Sequence, residues 1–180
     1  MTELVILDRD GVINRDSRDY VRTADEWIPL PGSLDAIARL NAAGYTVAVA
    51  SNQSGLARGY FTRRELRAMH RKFRRLLAQH GGSVARIEVC PHGPDAGCRC
   101  RKPAPGLIER LNRHFAVSPG DVTVIGDSLR DLEAARAAGS RPVLVRSGNG
   151  RRTESALPRE FVDVPVYDDL AAFADAVTDA

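Results

Sequence analysis

Short runs of consecutive apolar residues recur at Leu4–Asp8, Tyr45–Ser51, Arg86–Cys90, Val122–Gly126 and Pro142–Val145. Runs this short and rich in Val, Ile and Leu predict strands of a parallel sheet covered on both faces. Between them the apolar spacing changes to three and four, which predicts helices over Ser33–Ala43, Thr62–His80, Pro105–Phe115, Leu129–Ala138 and Leu170–Val177. Gly44, Gly81-Gly82 and Gly139 stop three of these, glycine being the residue that most readily leaves a helix through the left-handed conformation. Strands alternating with helices imply right-handed crossovers, and so an α/β fold with a doubly wound, Rossmann-like parallel sheet. No internal repeat or low-complexity linker divides residues 1–180, so one domain is expected. The segment Gly148–Pro165, with Gly148-Asn149-Gly150-Arg151-Arg152, could touch substrate or be a mobile surface loop, and the loop reading is preferred.

Composition narrows the class. With 180 residues, 43% hydrophobic and 27% charged, the chain suits a globular protein with one sizeable core. No stretch approaches the ~20 apolar residues of a membrane helix, and the first strand starts too early for a signal peptide. The expectation is a cytoplasmic protein with no membrane partner, and a monomer, since no surplus apolar helix calls for a second copy. A net charge of +3 allows an anionic partner. The most basic stretch, Arg63 to Arg75, carries Leu66, Met69, Phe73 and Leu76/Leu77 at helical spacing, which turns its arginines to solvent. No aromatic residues interleave with these charges, so nucleic acid is not expected and a small phosphorylated substrate is.

Candidate chemistry sits at the strand ends. In an open α/β sheet, ligands bind beyond the carboxyl ends of the strands, where strand order reverses. Asp8 and Asp10 follow the first strand, Ser51 and Asp127 end or follow two others, and Lys102 precedes a helix. Singly, each has a plain structural reading: aspartates cap turns, Ser51-Asn52 is turn chemistry, and Asp127 or Ser128 could cap a helix. Together they make a phosphoryl-transfer set. Asp8 can attack phosphorus to form an aspartyl-phosphate, and Asp10 can protonate the leaving oxygen and later deprotonate water. Crowded carboxylates facing a phosphate call for a divalent cation, and hard oxygen donors favour Mg²⁺, with Asp127 as a further ligand. Ser51, Lys102 and the turn through Asn52, Gln53 and Ser54 are candidates to hold the phosphoryl oxygens.

The segments Asp8-Arg9-Asp10-Gly11-Val12-Ile13-Asn14, Ser51-Asn52-Gln53-Ser54-Gly55, Arg101-Lys102-Pro103 and Gly126-Asp127-Ser128-Leu129-Arg130-Asp131 resemble the haloacid dehalogenase-like phosphohydrolase superfamily. The resemblance implies Asp8 as nucleophile, Asp10 as general acid/base, Ser51 and Lys102 on phosphate, and Mg²⁺ on Asp8, the Asp10 carbonyl and Asp127. Asp131 is expected to orient its neighbours. Roughly forty residues separate Asp10 from Ser51, too few for a separate cap domain of ~50 residues. A smaller shield is expected in residues 90–100, where Cys90, His92, Cys98 and Cys100 hold all three cysteines and one of the four histidines. Three thiolates and an imidazole suit a closed tetrahedral Zn²⁺ site with a structural role, and a Cys-x-Cys disulfide would be strained. Next to Arg101-Lys102, the metal would also fix where Lys102 points.

This loop is similar to those of two close families, phosphatases of D-glycero-D-manno-heptose 1,7-bisphosphate and of histidinol phosphate. Gly55-Leu56-Ala57-Arg58-Gly59-Tyr60-Phe61 and Asn14 are similar to the heptose enzymes. The short spacing from His92 to Cys98 is also typical of the histidinol phosphatases, and Ser128 stands where others of the family carry Lys. The sugar bisphosphate is favoured, because its second phosphate needs a cationic rim that Arg58, Arg101, Arg130 and Arg146 could supply. Asp16, Asp19 and Tyr20, in the loop after the first motif, are candidates for sugar hydroxyls or for the amine of histidinol phosphate.

Overall fold

The buried side chains of strand β1 (Leu4–Leu7) alternate between two apolar clusters: Val5 and Leu7 join one, Leu4 and Ile6 the other. In the computed structural model, which describes residues 3–178, this strand is the centre of a six-stranded sheet. The other strands are β2 (Thr46–Asn52), β3 (Arg86–Cys90), β4 (Val122–Gly126), β5 (Arg141–Val145) and β6 (Val166–Tyr167). All pair in parallel, in the order β3-β2-β1-β4-β5-β6. Helices α1 (Ser33–Ala42), α2 (Arg63–Gln79) and α6 (Leu170–Thr178) cover one face, with Ile37, Leu40, Met69, Phe73 and Phe173 packed against Val5, Val47 and Val49. Helices α3 (Gly106–Phe115) and α4 (Leu129–Ala137) cover the other, through Leu107, Leu111, Ala134 and Ala135. A sheet sealed on both faces needs apolar side chains at every strand position, which is why its strands read as continuous runs.

One element departs from the expectation. The segment Gly148–Pro165, read as a mobile surface loop, contains helix α5 (Gly150–Ser155) and a 3₁₀ turn at Arg159–Phe161 with Phe161 buried, and leads directly into β6. It docks because Gly148 and Gly150 let the backbone press onto Asp127 and Val145, positions where a Cβ would overlap its neighbours. The link from β1 to α1 builds no separate cap domain, in keeping with its length: isolated bridges pair Asp10 with Asn14 and Asn14 with Pro29, and fully buried Trp27 packs on Phe73 with ring centres 5.3 Å apart. Lys72 ties this link to α2 by donating to the carbonyls of Ala24 and Trp27.

Candidate active site

Strand order reverses between β1 and β4, which are direct neighbours, so the residues that follow them meet at the carboxyl edge of the sheet. A cavity of about 360 Å³ opens there. From the first motif and its loop it is bordered by Asp8, Asp10, Asp16 and Tyr20, and from the loop after β2 by Asn52, Gln53, Ser54 and Arg58. Arg101, Lys102, Asp127 and Arg130 close the remaining sides. Ser51 is 1% exposed and lies behind Gln53, which donates to its hydroxyl at 2.8 Å. Arg146, expected at the rim, is absent from this wall; its guanidinium binds Glu154 and Asp168 on the outer surface. Asp19 likewise lies outside the cavity, and its carbonyl accepts from Arg22.

Lys102 organises the centre. Its ammonium reaches Asp8 Oδ1 at 2.9 Å, Asp131 Oδ1 at 2.6 Å and the Ala50 carbonyl at 2.8 Å. Burial alone would drive off its proton, but Asp131 and Asp8 outweigh that and raise its pKa. Asn52 grips the Lys102 backbone with both ends of its amide, accepting from Lys102 N and donating to Lys102 O, each at 3.0 Å. Asp131 has both oxygens engaged, Oδ1 by Lys102 and Oδ2 by the N–H and hydroxyl of Ser128 at 3.1 and 2.6 Å. Lys102 therefore holds Asp131 below the ordinary carboxylate range despite its burial.

The two acids of the first motif are in opposite states. Burial pushes Asp8 up to about 8, with Lys102 opposing and Asp131, Asp127 and Asp10 adding to the rise. Asp10 is lowered: burial opposes ionisation, but the Arg9 guanidinium at 2.9 Å, Asn14 at 2.8 Å and Gln53 at 2.8 Å together saturate the carboxylate. Arg9, only 1% exposed, is thus a structural member of the site. It was not anticipated, although a charged residue inside a buried strand exit is itself a signal that a buried counter-charge exists.

Asp127 is raised to about 7, first by burial and then by Asp131 and Asp16, while Asn149 opposes the rise. Its Oδ2 accepts from Asn149 N at 2.7 Å and Asn149 Nδ2 at 3.2 Å, and Gly11 and Gly148 press on the same oxygen. Thr153, from the segment read as a loop, donates to the Asp127 carbonyl, and Ser147, just before that segment, donates to the Gly11 carbonyl. Among the described residues, no hydrogen bond reaches Asp8 Oδ2 or Asp127 Oδ1. One oxygen each from Asp8, Asp127 and Asp131 falls within 4.8 Å of the others. Two crowded carboxylates that would rather be neutral, each with an oxygen to spare, fit a hard divalent cation. Asp131, with both oxygens engaged, fits a supporting place.

Beside the cavity, β3 pairs with β2 so that Cys90 lies opposite Asn52, and Gln53 N donates to the Cys90 carbonyl at 2.8 Å. Cys90, His92, Cys98 and Cys100 converge: the sulfur–sulfur distances are 3.3, 3.6 and 3.7 Å, and His92 Nδ1 lies 3.3 and 3.6 Å from Cys100 and Cys90. A tetrahedron with Zn–S bonds of ~2.3 Å has edges of about 3.8 Å, so the donor set fits zinc, and no disulfide forms.

Comparison with known proteins agrees with this geometry. Residues 99–173 match the HAD-hydrolase-like family model. Over 175 residues the chain is 55% identical to D-glycero-beta-D-manno-heptose-1,7-bisphosphate 7-phosphatase of Pseudomonas aeruginosa, covering 97% of each chain. The Neisseria meningitidis protein of that name is 48% identical, over 97% of this chain and 94% of its own. The crystal structure of D,D-heptose 1,7-bisphosphate phosphatase from Bordetella bronchiseptica, complexed with magnesium and phosphate, superposes with a TM-score of 0.95 at 53% identity over 99% of both chains.

Proposed function

The chain belongs to the D-glycero-beta-D-manno-heptose-1,7-bisphosphate 7-phosphatase family of HAD-like hydrolases, and we propose that it removes the 7-phosphate of that sugar bisphosphate as a step of nucleotide-activated heptose (lipopolysaccharide core) biosynthesis. The observation that carries this reading is the joining of Asp8, Lys102 and Asp127 in one cavity whose border also carries Arg58, Arg101 and Arg130. One end receives a phosphoryl group and the other can bind a second phosphate through guanidinium forks. The relatives at 48–55% identity carry the heptose name with the β configuration, and the histidinol phosphate alternative is not favoured.

In this reading one oxygen of Asp8 attacks phosphorus, the bond to the sugar C7 oxygen breaks, and Asp10 gives that oxygen its proton. Asp10 then takes a proton from water, whose oxygen attacks the aspartyl-phosphate and releases inorganic phosphate and free Asp8. Arg9, Asn14 and Gln53 hold Asp10 ionised in the free protein, which suits its part as base; the incoming phosphate's negative charge raises its proton affinity for the acid step. Lys102 and Ser51 balance the phosphoryl charge, and Asp16, Tyr20, Gln53 and Ser54 border the path of the sugar. Mg²⁺ held by Asp8, the Asp10 carbonyl and Asp127 would neutralise the charge shared by phosphate and carboxylates. Zinc on Cys90, His92, Cys98 and Cys100 would brace the end of β3 and Arg101-Lys102. No helix among the described residues is long and apolar enough to cross a membrane. Free thiols suit a reducing compartment, so we read the protein as cytoplasmic, a single domain and a monomer.

The deciding experiment compares kcat/KM on the β and α anomers of the heptose bisphosphate and on histidinol phosphate. The β anomer is expected to be preferred; faster turnover of histidinol phosphate would overturn the assignment. Sedimentation of the purified protein at the mass of one chain is expected, and a dimer would contradict the monomer reading.

A further inference from the structure

We propose that Gln53 is a positioning residue that turns the Ser51 hydroxyl proton toward the phosphoryl group. The proposal rests on Ser51 being a phosphate ligand and adds what orients it. Gln53 is 4% exposed, and both of its N–H hydrogens are spent inside the protein: Nε2 donates to Asp10 Oδ2 and to Ser51 Oγ, each at 2.8 Å. Its Oε1 accepts from Arg9 Nη2 at 3.3 Å. A flipped amide would set oxygen against the Asp10 carboxylate and nitrogen against a guanidinium, so Arg9 and Asp10 together allow one orientation only. That orientation makes Ser51 Oγ an acceptor. A hydroxyl has one proton, and among the described residues nothing accepts the proton of Ser51.

An unspent donor on a residue 1% exposed, beside the Ala50 carbonyl that binds Lys102 Nζ, is therefore held for a ligand oxygen. Gln53 itself borders the cavity, and direct contact with phosphate is the competing arrangement. With no N–H left to give, it has only an oxygen to offer an anion, and that oxygen is taken by Arg9. Its effect on phosphate must pass through Ser51.

The test is a double-mutant cycle read by calorimetric titration of inorganic phosphate into the Mg²⁺-loaded full chain. Ser51→Ala is expected to weaken phosphate binding by about 10-fold or more, as for a lost hydrogen bond to a charged group. Gln53→Met should weaken it nearly as much, and the double variant should be no weaker than Ser51→Ala alone. Gln53→Glu keeps the volume but offers Ser51 an acceptor and sets a second carboxylate beside Asp10, so it should weaken binding at least as much as the Met variant. Mg²⁺ affinity should hold in Ser51→Ala, Gln53→Met and the double variant, none of which changes the charge, whereas general loosening of the site would lower it. Additive losses, wild-type affinity in Gln53→Met, or a parallel fall in Mg²⁺ affinity would overturn the role of Gln53 while leaving Ser51 as a ligand. Wild-type affinity in Ser51→Ala would remove the ligand reading itself, and the proposal with it.

Discussion

Two clusters of metal-ligating side chains lie side by side in this protein, and they are built on opposite plans. Around Asp8 and Asp127 the donors are hard oxygens fixed by protein groups: Lys102, Asn149, and the Ser128–Asp131 pair, set at the ends of two central strands. Around Cys90, the last residue of the edge strand β3, the side-chain partners of the donors are one another, and the other three donors lie in a loop whose one regular element is the 3₁₀ turn Pro94–Ala96. The first is held in shape by protein groups, while the second, on the reading proposed above, relies on a metal to hold its donors together. Removing a cation should therefore cost the first its chemistry and the second its structure.

Asp8→Asn is the largest test of that contrast. Loss of the nucleophile should lower kcat by at least about 10⁴-fold, whereas thermal unfolding should stay put or move upward, because a buried carboxylate pushed up to about 8 is replaced by a neutral amide. Phosphate release at the wild-type rate would remove Asp8 from the chemistry. Early unfolding would show that the oxygen cluster is also structural.

Cys100→Ser should behave in the reverse way. It should bind less than one zinc per chain by elemental analysis and unfold at lower temperature. kcat/KM should fall by roughly 10–100-fold, the scale for losing an outer support, because Cys100 lies two residues from Lys102. Full zinc retention, or a zinc-free protein as stable and active as the parent, would contradict a structural metal.

The contrast was partly legible in the sequence, and the missing part has a physical cause. Strands β1, β2, β4 and β5 are largely apolar at consecutive positions because helices cover both faces, and that pattern survives without coordinates, whereas the edge strand β3 alternates Arg86-Ile87-Glu88-Val89 and is only partly buried. Strand β6 is two residues long, and α5 carries Gly150-Arg151-Arg152-Thr153-Glu154-Ser155 with no apolar stripe, so both form by docking and leave no periodic signal. Asp8, Lys102 and Asp127 could be found because topology brings every strand exit to one edge. The partners of Arg9 and Asn149 were harder to see, since they lie 44 and 22 positions away, at Gln53 and Asp127. A strand-exit argument applied to β5, whose exit is followed by Gly148-Asn149-Gly150, would have found Asn149.

The prebuilt character of the oxygen cluster extends below it to His70, where acid should reach it. Burial lowers the His70 pKa from 6.5 to about 4, with Arg9 and Arg74 adding to the effect, and its Nε2 has no hydrogen-bond partner. The folded pKa lies below the unfolded one, so as pH falls the unfolded chain takes the proton first. Stability from neutral His70 is complete above pH 6.5 and is lost progressively from 6.5 to about 4. The 2.5-unit gap (6.5 − 4) corresponds to about 3 kcal/mol, an upper figure because the ring is only partly buried. Urea unfolding of the wild type and His70→Leu between pH 7 and 4 isolates this share, since acid release of zinc acts on both. Parallel pH dependences would sink it.

The smallest effect belongs to the rim, where neither plan applies. Arg58 is exposed, lies on the turn after β2, and has no carboxylate within salt-bridge distance among the described residues. A flexible cation in water contributes little until a phosphate reaches it, and then contributes equally to ground state and transition state, because the second phosphate lies away from the reacting bond. Arg58→Ala should thus raise KM for the bisphosphate by less than about 10-fold, with kcat, zinc content and unfolding unchanged. The same substitution should leave kcat/KM unaltered on a heptose carrying only the 7-phosphate. An equal loss on both substrates would mean that Arg58 acts on the transferred phosphoryl group, and the rim would then be part of the prebuilt cluster.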